Sequence, residues 1–186
     1  MKIKIISLKE YCEDIKLIQD FLFENIKNEY GYGYIPEYHQ DIVNLKNYYK
    51  DPSRNNLFIA LKLENNEIIG TIAIREYDKN FEEFENVYSK DFTSSIWRLF
   101  VNKKYRRYGI GTKLVNIVEE FAKEKNYKEI YLHTHKNVKG ALDFWKSLNY
   151  EVTLDTNNEL KTVHMIKNIS SLNVNSKVNS EVSILN

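Results

Sequence analysis

Arg106-Arg107-Tyr108-Gly109-Ile110-Gly111 is the stretch of this sequence whose residue types and spacing point most directly to chemistry. It lies between an apolar run ending at Val101 and a segment in which Ile110, Leu114, Ile117, Val118 and Phe121 recur at helical spacing. Where a strand hands over to a helix, the first helical amides have no internal acceptors and sit at the positive end of the helix dipole. Glycines at 109 and 111 remove the Cβ atoms that would hold an anion away from those amides. Arg106 and Arg107 add charge in a form suited to phosphate oxygens. The combination predicts a cradle for a pyrophosphate. Gly-x-Gly alone would read as a tight turn beside solvated arginines; the flanking strand and helix favour the cradle.

Other phosphate loops fit less well. A Walker loop needs Gly-Lys-Ser/Thr, whereas this chain has Gly111-Thr112-Lys113. A dinucleotide fingerprint needs a third glycine, and residue 114 is leucine. Lys103, Lys104, Arg106 and Arg107 form a basic cluster, but the chain's net charge of +1 gives no general reason to expect nucleic acid as a partner.

Arg106-x-x-Gly109-x-Gly111 resembles the Arg/Gln-x-x-Gly-x-Gly/Ala motif of the GNAT (GCN5-related N-acetyltransferase) superfamily. Trp97-Arg98-Leu99-Phe100-Val101 is similar to that family's fourth strand. Asn137 and the run Ala141 to Tyr150 resemble its following helix and strand, so the likeness spans residues 57–166 and is densest over 96–150. The resemblance implies an α/β fold: a mixed, mostly antiparallel sheet of about seven strands with about four helices, splayed between strands four and five. It implies acetyl-CoA as the acyl donor, no metal, and transfer to a primary amine by direct attack in a ternary complex. Backbone groups of Leu99, Phe100 and Val101 would hold the pantetheine arm as an added strand. An amide near Leu99 or Phe100 would polarise the thioester. Amides from Arg107 through Tyr108, Gly109, Ile110 and Gly111 to Thr112 would hold the pyrophosphate, and Asn137 would reach the pantetheine.

Two departures from the family pattern leave the acid–base roles open. Trp145 stands where many members have a tyrosine, and an indole N–H cannot act as a general acid at neutral pH. It either packs or lines the thioester pocket. Positions 94 and 95, where a glutamate base is common, are both serine. Glu76 and His133 are the candidate bases, with water as the alternative. His39, His135 and His164 rank below His133. Tyr30-Gly31-Tyr32-Gly33-Tyr34-Ile35-Pro36-Glu37-Tyr38-His39 reads equally as a loop packing its own rings or as an acceptor wall, with Tyr32, Tyr34 and Glu37 its contact residues. An acyl-CoA sensor without turnover is the rival function.

The elements that must position these residues follow from periodicity. Residues 2–6 read as a strand, and Ser7 with Glu10 as the capping box of a helix over 9–28. That helix carries Cys12 beside its apolar stripe, as a packing residue. A second helix over 39–50 is expected after the break at Pro36. Runs 57–63 and 67–74 form a hairpin, and 78–94 a loop holding at most a helical turn. Then come a strand over 96–101, the helix from 110 to about 126, a strand over 130–134, a helix over 138–148 and a closing hairpin of 150–154 with 160–166.

Composition sets the frame. With 42% hydrophobic and 28% charged residues in 186, the chain is an ordinary candidate for one packed domain, residues 1–169, followed by a Ser/Asn/Val tail over 170–186. The tail or the closing hairpin could pair two copies as a homodimer. One cysteine, no long apolar stretch and a charged N-terminus predict a cytoplasmic protein without a membrane partner. The acceptor, a small-molecule or peptide amine, is not specified by any motif.

Overall fold

A computed structural model describes residues 1–78 and 81–170. The expected tail therefore lies outside the described residues, apart from Ser170.

The chain runs β1 (Ile3–Ser7), α1 (Ile15–Tyr30), α2 (Pro36–Val43), β2 (Asn56–Lys62), β3 (Glu67–Glu76), β4 (Thr93–Val101), α3 (Ile110–Glu124), β5 (Glu129–His135), α4 (Ala141–Ser147), β6 (Glu151–Asp155) and β7 (Thr162–Asn168). Seven strands form one sheet in the order β1-β2-β3-β4-β5-β7-β6. Every pairing is antiparallel except β4 with β5, which is parallel. This is the mixed sheet the resemblance implied.

Strand alternation sends side chains to two cores. Ile72, Ile74, Ile96, Ile130 and Leu132 pack against Ile110, Leu114, Val115 and Val118 of α3 and against Trp145 of α4. On the other face Leu57, Ile59 and Ala73 meet Ile18, Leu22 and Ile26 of α1. Each fully buried aliphatic side chain contributes about 1.5–3 kcal/mol of transfer free energy, which offsets the ordering of the chain. At Gly70 of β3, a Cβ would stand 3.1 Å from the Phe100 carbonyl oxygen and 3.2 Å from Leu114, so the absence of a side chain lets α3 lie close on the sheet.

Three local expectations are corrected. Ser7 and Glu10 do make capping-box bonds: the Ser7 amide donates to the Glu10 carboxylate at 3.2 Å, and Ser7 Oγ accepts from the Lys9 amide. They close an isolated turn, however, and α1 begins at Ile15, where the Asp14 side chain accepts from the Lys16 amide at 2.9 Å. Cys12 consequently sits before the helix and is exposed rather than packed. The second helix spans Pro36–Val43, with proline opening it instead of breaking it, and a separate wide turn covers Lys46–Lys50. The aperiodic segment after β3 is held by aromatic contact: Phe81, Phe84 and Tyr88 pack on Tyr77 and Tyr131. A single helical turn lies at Glu82–Phe84. None of the described helices is long and apolar enough to cross a membrane.

Candidate active site

β4 and β5 pair only where Thr93, Ser94 and Ser95 face Glu129, Ile130 and Tyr131. Beyond Ser95, β4 continues against β3, and β5 continues against β7. The two strands part, and a cleft of about 1310 Å³ opens, floored by both and reaching the start of α3.

The β4 side of the cleft carries a bulge. Thr71 faces Phe100 while Ala73 faces Trp97, so two steps on β3 are matched by three on β4, and neither Arg98 nor Leu99 has a β3 partner. Arg98 takes the left-handed conformation, φ 52°, unusual for a residue with a side chain. Thr71 Oγ1 donates to the Arg98 carbonyl at 2.9 Å and fixes the bulge from behind. A bulge turns peptide groups away from the ladder, which makes backbone around Leu99 available to a ligand in the cleft.

Tertiary bonds hold this strained residue in place. Arg98 Nε donates to Asp41 Oδ2 at 2.9 Å and Nη2 to Asp41 Oδ1 at 2.5 Å, a two-pronged pair reaching from β4 to α2. Nη2 also donates to the Tyr38 carbonyl, and the Tyr49 hydroxyl donates to Asp41 Oδ2 at 2.6 Å. Burial alone would raise the Asp41 pKa, but bonds and charge from Arg98 outweigh it and hold the carboxyl below its usual range. Burial likewise works against the Arg98 charge, and Asp41 more than compensates. Sequence reasoning missed this network. Its only trace was an arginine inside an otherwise apolar strand.

The turn from β4 to α3 is the predicted cradle. Asn102 caps a short turn by accepting from the Lys104 amide at 3.1 Å. Arg107 and Gly109 are both left-handed, at φ 70° and 73°, and no side chain caps α3 at Gly109. Among the described residues, the amides from Arg107 to Thr112 meet no protein acceptor. The glycines serve different purposes. A Cβ on Gly109 would touch nothing within 4 Å, so its role is conformational and spatial. A Cβ on Gly111 would stand 3.3 Å from the Phe144 ring, so this glycine lets α3 approach α4. Gly111→Val is expected to destabilise the fold by about 1–3 kcal/mol through overpacking. Part of that loss should return with Phe144→Leu in a double-mutant cycle read by urea unfolding; additive losses would contradict the contact.

The other predicted residues divide. Leu99, Phe100, Val101, Arg106, Arg107, Ile110, Thr112, Trp145, His133, Tyr32 and Glu37 line the cleft. Arg106 is engaged at its edge: Nε donates to the Val101 carbonyl at 3.0 Å and Nη2 pairs with Glu29 of α1, so its side chain braces the turn. The Tyr108 side chain is 65% exposed and is not among the lining residues. Asn137 is exposed in the turn after β5 and is not among the lining residues. Tyr34 is also outside the lining, edge-on to Phe23 and accepting from Gln40 Nε2. Glu76 ends β3 away from the cleft, its amide bonded to Asn55 and its charge felt by Tyr127. Trp145 is buried against Phe144 and Tyr150 and also lines the cleft.

His133 sits among Phe81, Trp97, Tyr131, His135 and His164, with ring centroids 5.9–6.3 Å away. Hydrogen bonds are resolved at the other three histidines. His39 Nδ1 accepts from the Ile35 amide at 2.9 Å, His164 Nδ1 meets the Tyr131 hydroxyl at 2.6 Å, and His135 Nδ1 meets Thr162 at 3.2 Å. Among the described residues no group of three or more His, Cys, Asp or Glu side chains is placed to hold a metal ion.

Comparison with known proteins identifies the family and agrees with the fold. Residues 20–150 match the model of the acetyltransferase (GNAT) family. A probable N-acetyltransferase 14 of Xenopus tropicalis is 38% identical over 61 residues, 33% of this chain and 30% of that protein. The chain spans less than a third of the length of the first curated relatives it matches. Among solved structures, an acetyltransferase of the GNAT family from Staphylococcus aureus Mu50 superposes with a TM-score of 0.71 at 24% identity, over 90% of this chain and 99% of that one. The PaiA N-acetyltransferase of Thermoplasma acidophilum, in complex with coenzyme A, gives 0.61 at 21% identity over 90% and 99%.

Proposed function

The chain belongs to the acetyltransferase (GNAT) family, and from that premise we propose that it transfers the acetyl group of acetyl-CoA to a primary amine by direct attack within a ternary complex. The observation that carries the reading is the uncapped start of α3, with left-handed Arg107 and Gly109, beside strands that part. Successive free amides at a helix start suit a pyrophosphate, and a cleft of about 1310 Å³ has volume for a thioester and a second substrate. The fold neighbour bound to coenzyme A supports the same donor.

Acetyl-CoA, when bound, supplies an activated acyl group whose thiolate is a tolerable leaving group. The chain's own work is then to position and polarise. Amides of 107–112 hold the pyrophosphate, and the cleft edge of β4 from Leu99 to Val101 orients the pantetheine. An amide at the Arg98–Leu99 bulge donates to the negative charge that develops on the carbonyl oxygen. His133, within the lining, accepts the proton of the attacking amine, directly or through water. Tyr32 and Glu37 border the acceptor's path.

Thiol release from acetyl-CoA across a panel of primary amines tests the proposal. At least one amine should give turnover well above the hydrolysis background; binding of coenzyme A without turnover on any amine would make the protein a sensor. His133→Gln should lower kcat by about 10²-fold or more while the Kd for coenzyme A stays unchanged. An unaltered kcat would assign the proton to solvent.

A further inference from the structure

Arg75, on β3, is a charged residue that neither the cradle nor the bulge uses. It lines the acceptor half of the cleft and is 8% exposed. Its guanidinium carbon lies 3.7 Å from the centre of the Trp97 ring and 5.3 Å from that of Tyr48. With aromatic rings at its face, what it has left to offer is the row of donors along its edge.

That edge is incompletely matched. Nη2 meets both oxygens of Asp78, at 3.2 and 3.0 Å, whereas the buried Nε has no acceptor among the described residues. The Asp78 side chain is 45% exposed, so the partner covering the edge is a half-solvated one. The neighbouring cation offers no relief. Arg98, also over the Trp97 ring at 5.8 Å, is bonded to Asp41 and Tyr38. Two guanidinium groups are thus sunk in the floor against one deeply buried carboxylate, Asp41. Interior charge needs a close counter-charge and complete hydrogen bonding.

We propose that the amine acceptor carries a carboxylate, and that Arg75 receives it through Nε and Nη2 after Asp78 swings out. This rests on the acetyltransferase reading. A planar carboxylate matches the Nε–Nη2 edge with two parallel bonds, satisfying the donor that Asp78 leaves unbonded. A single negative charge suits one available edge. A phosphate dianion would have to sit among Asp78 and Glu83, which also line this end. Those same acids suit the ammonium of an amino-acid-like acceptor as it enters.

The test pairs each α-amino acid with its C-terminal amide as acceptor. For the best pair, the acid should have a kcat/KM at least tenfold above the amide in the wild type. Arg75→Met should abolish that preference while turnover of the amide and the Kd for coenzyme A stay within about threefold, and Asp78→Asn should lower KM for the acid. Equal use of acid and amide by the wild type, or a preference surviving Arg75→Met, would overturn the assignment.

A readout without turnover separates this from failure of the acetyltransferase reading. Titrating the wild type with N-acetylglycine should shift the Arg75 Nε–H resonance in a ¹⁵N-labelled sample, and N-acetylglycinamide should not. If neither moves it, the carboxylate site is wrong even where amines are acetylated. If the acid moves it while no amine turns over, the site stands and the transfer reaction falls.

Discussion

Gly109→Val is expected to weaken coenzyme A binding at least a hundredfold, or ~2.7 kcal/mol, while the protein stays folded. Gly109 has φ 73°, and a branched side chain in that well costs roughly 1–2 kcal/mol. A domain of this size tolerates such a loss. No protein atom lies within 4 Å of the Cβ position, so the new methyl groups would not disturb the core. They would occupy space in front of amides with no acceptor of their own, where the phosphate oxygens must approach. Gly109→Ala carries most of the backbone strain with less bulk. A graded loss from glycine to alanine to valine in calorimetry would indicate obstruction, and equal losses would indicate strain. Normal affinity in Gly109→Val would remove the cradle from the mechanism.

Asp41→Asn is expected to destabilise the protein by about 3–5 kcal/mol, because it leaves the Arg98 guanidinium buried without its counter-charge. The same change should lower kcat about a hundredfold through misplacement of the bulge, with a smaller effect on coenzyme A affinity. The cradle lies on the other side of Val101, whereas Arg98 is a left-handed residue kept so by its surroundings. Arg98→Met combined with Asp41→Leu should be more stable than either single change, since the pair then leaves no orphan charge. The folded-state pKa of Asp41 is depressed, so its contribution is fully present above the ordinary carboxylate value near pH 4 and is lost as pH falls through the depressed value. Wild type and Asp41→Asn should therefore differ by a constant amount at neutral pH and converge only in acid. A stability gap that persists unchanged into strong acid would argue against an ionised Asp41.

Elements with strong periodicity were legible from the sequence. The 3.6-residue recurrence of Ile110, Leu114 and Val118 gave α3, and β-rich runs gave β2 and β3, because each pattern follows from which face must leave water. Boundaries were less legible. The Ser7–Glu10 bonds form as expected, yet α1 begins only after Asp14, since a local cap cannot tell whether the chain will find a helix-length face to bury. The aromatic segment after β3 had no period because its rings pack on β5 individually.

By itself the sequence determined the glycine turn at the start of α3, for which we propose the pyrophosphate role, since φ preference, helix dipole and charge there depend on residues a few positions apart. Tertiary structure alone decided which side chains line the end of the cleft proposed for the acceptor. Asp41 meets Arg98 across 57 residues, and Arg75 meets Trp97 and Tyr48 from three separate elements. Tertiary structure also removed Glu76, Tyr34 and Asn137 from the lining. Which side chains converge on a cavity is set by sheet order and by a single extra residue in β4, and no spacing along the chain encodes either.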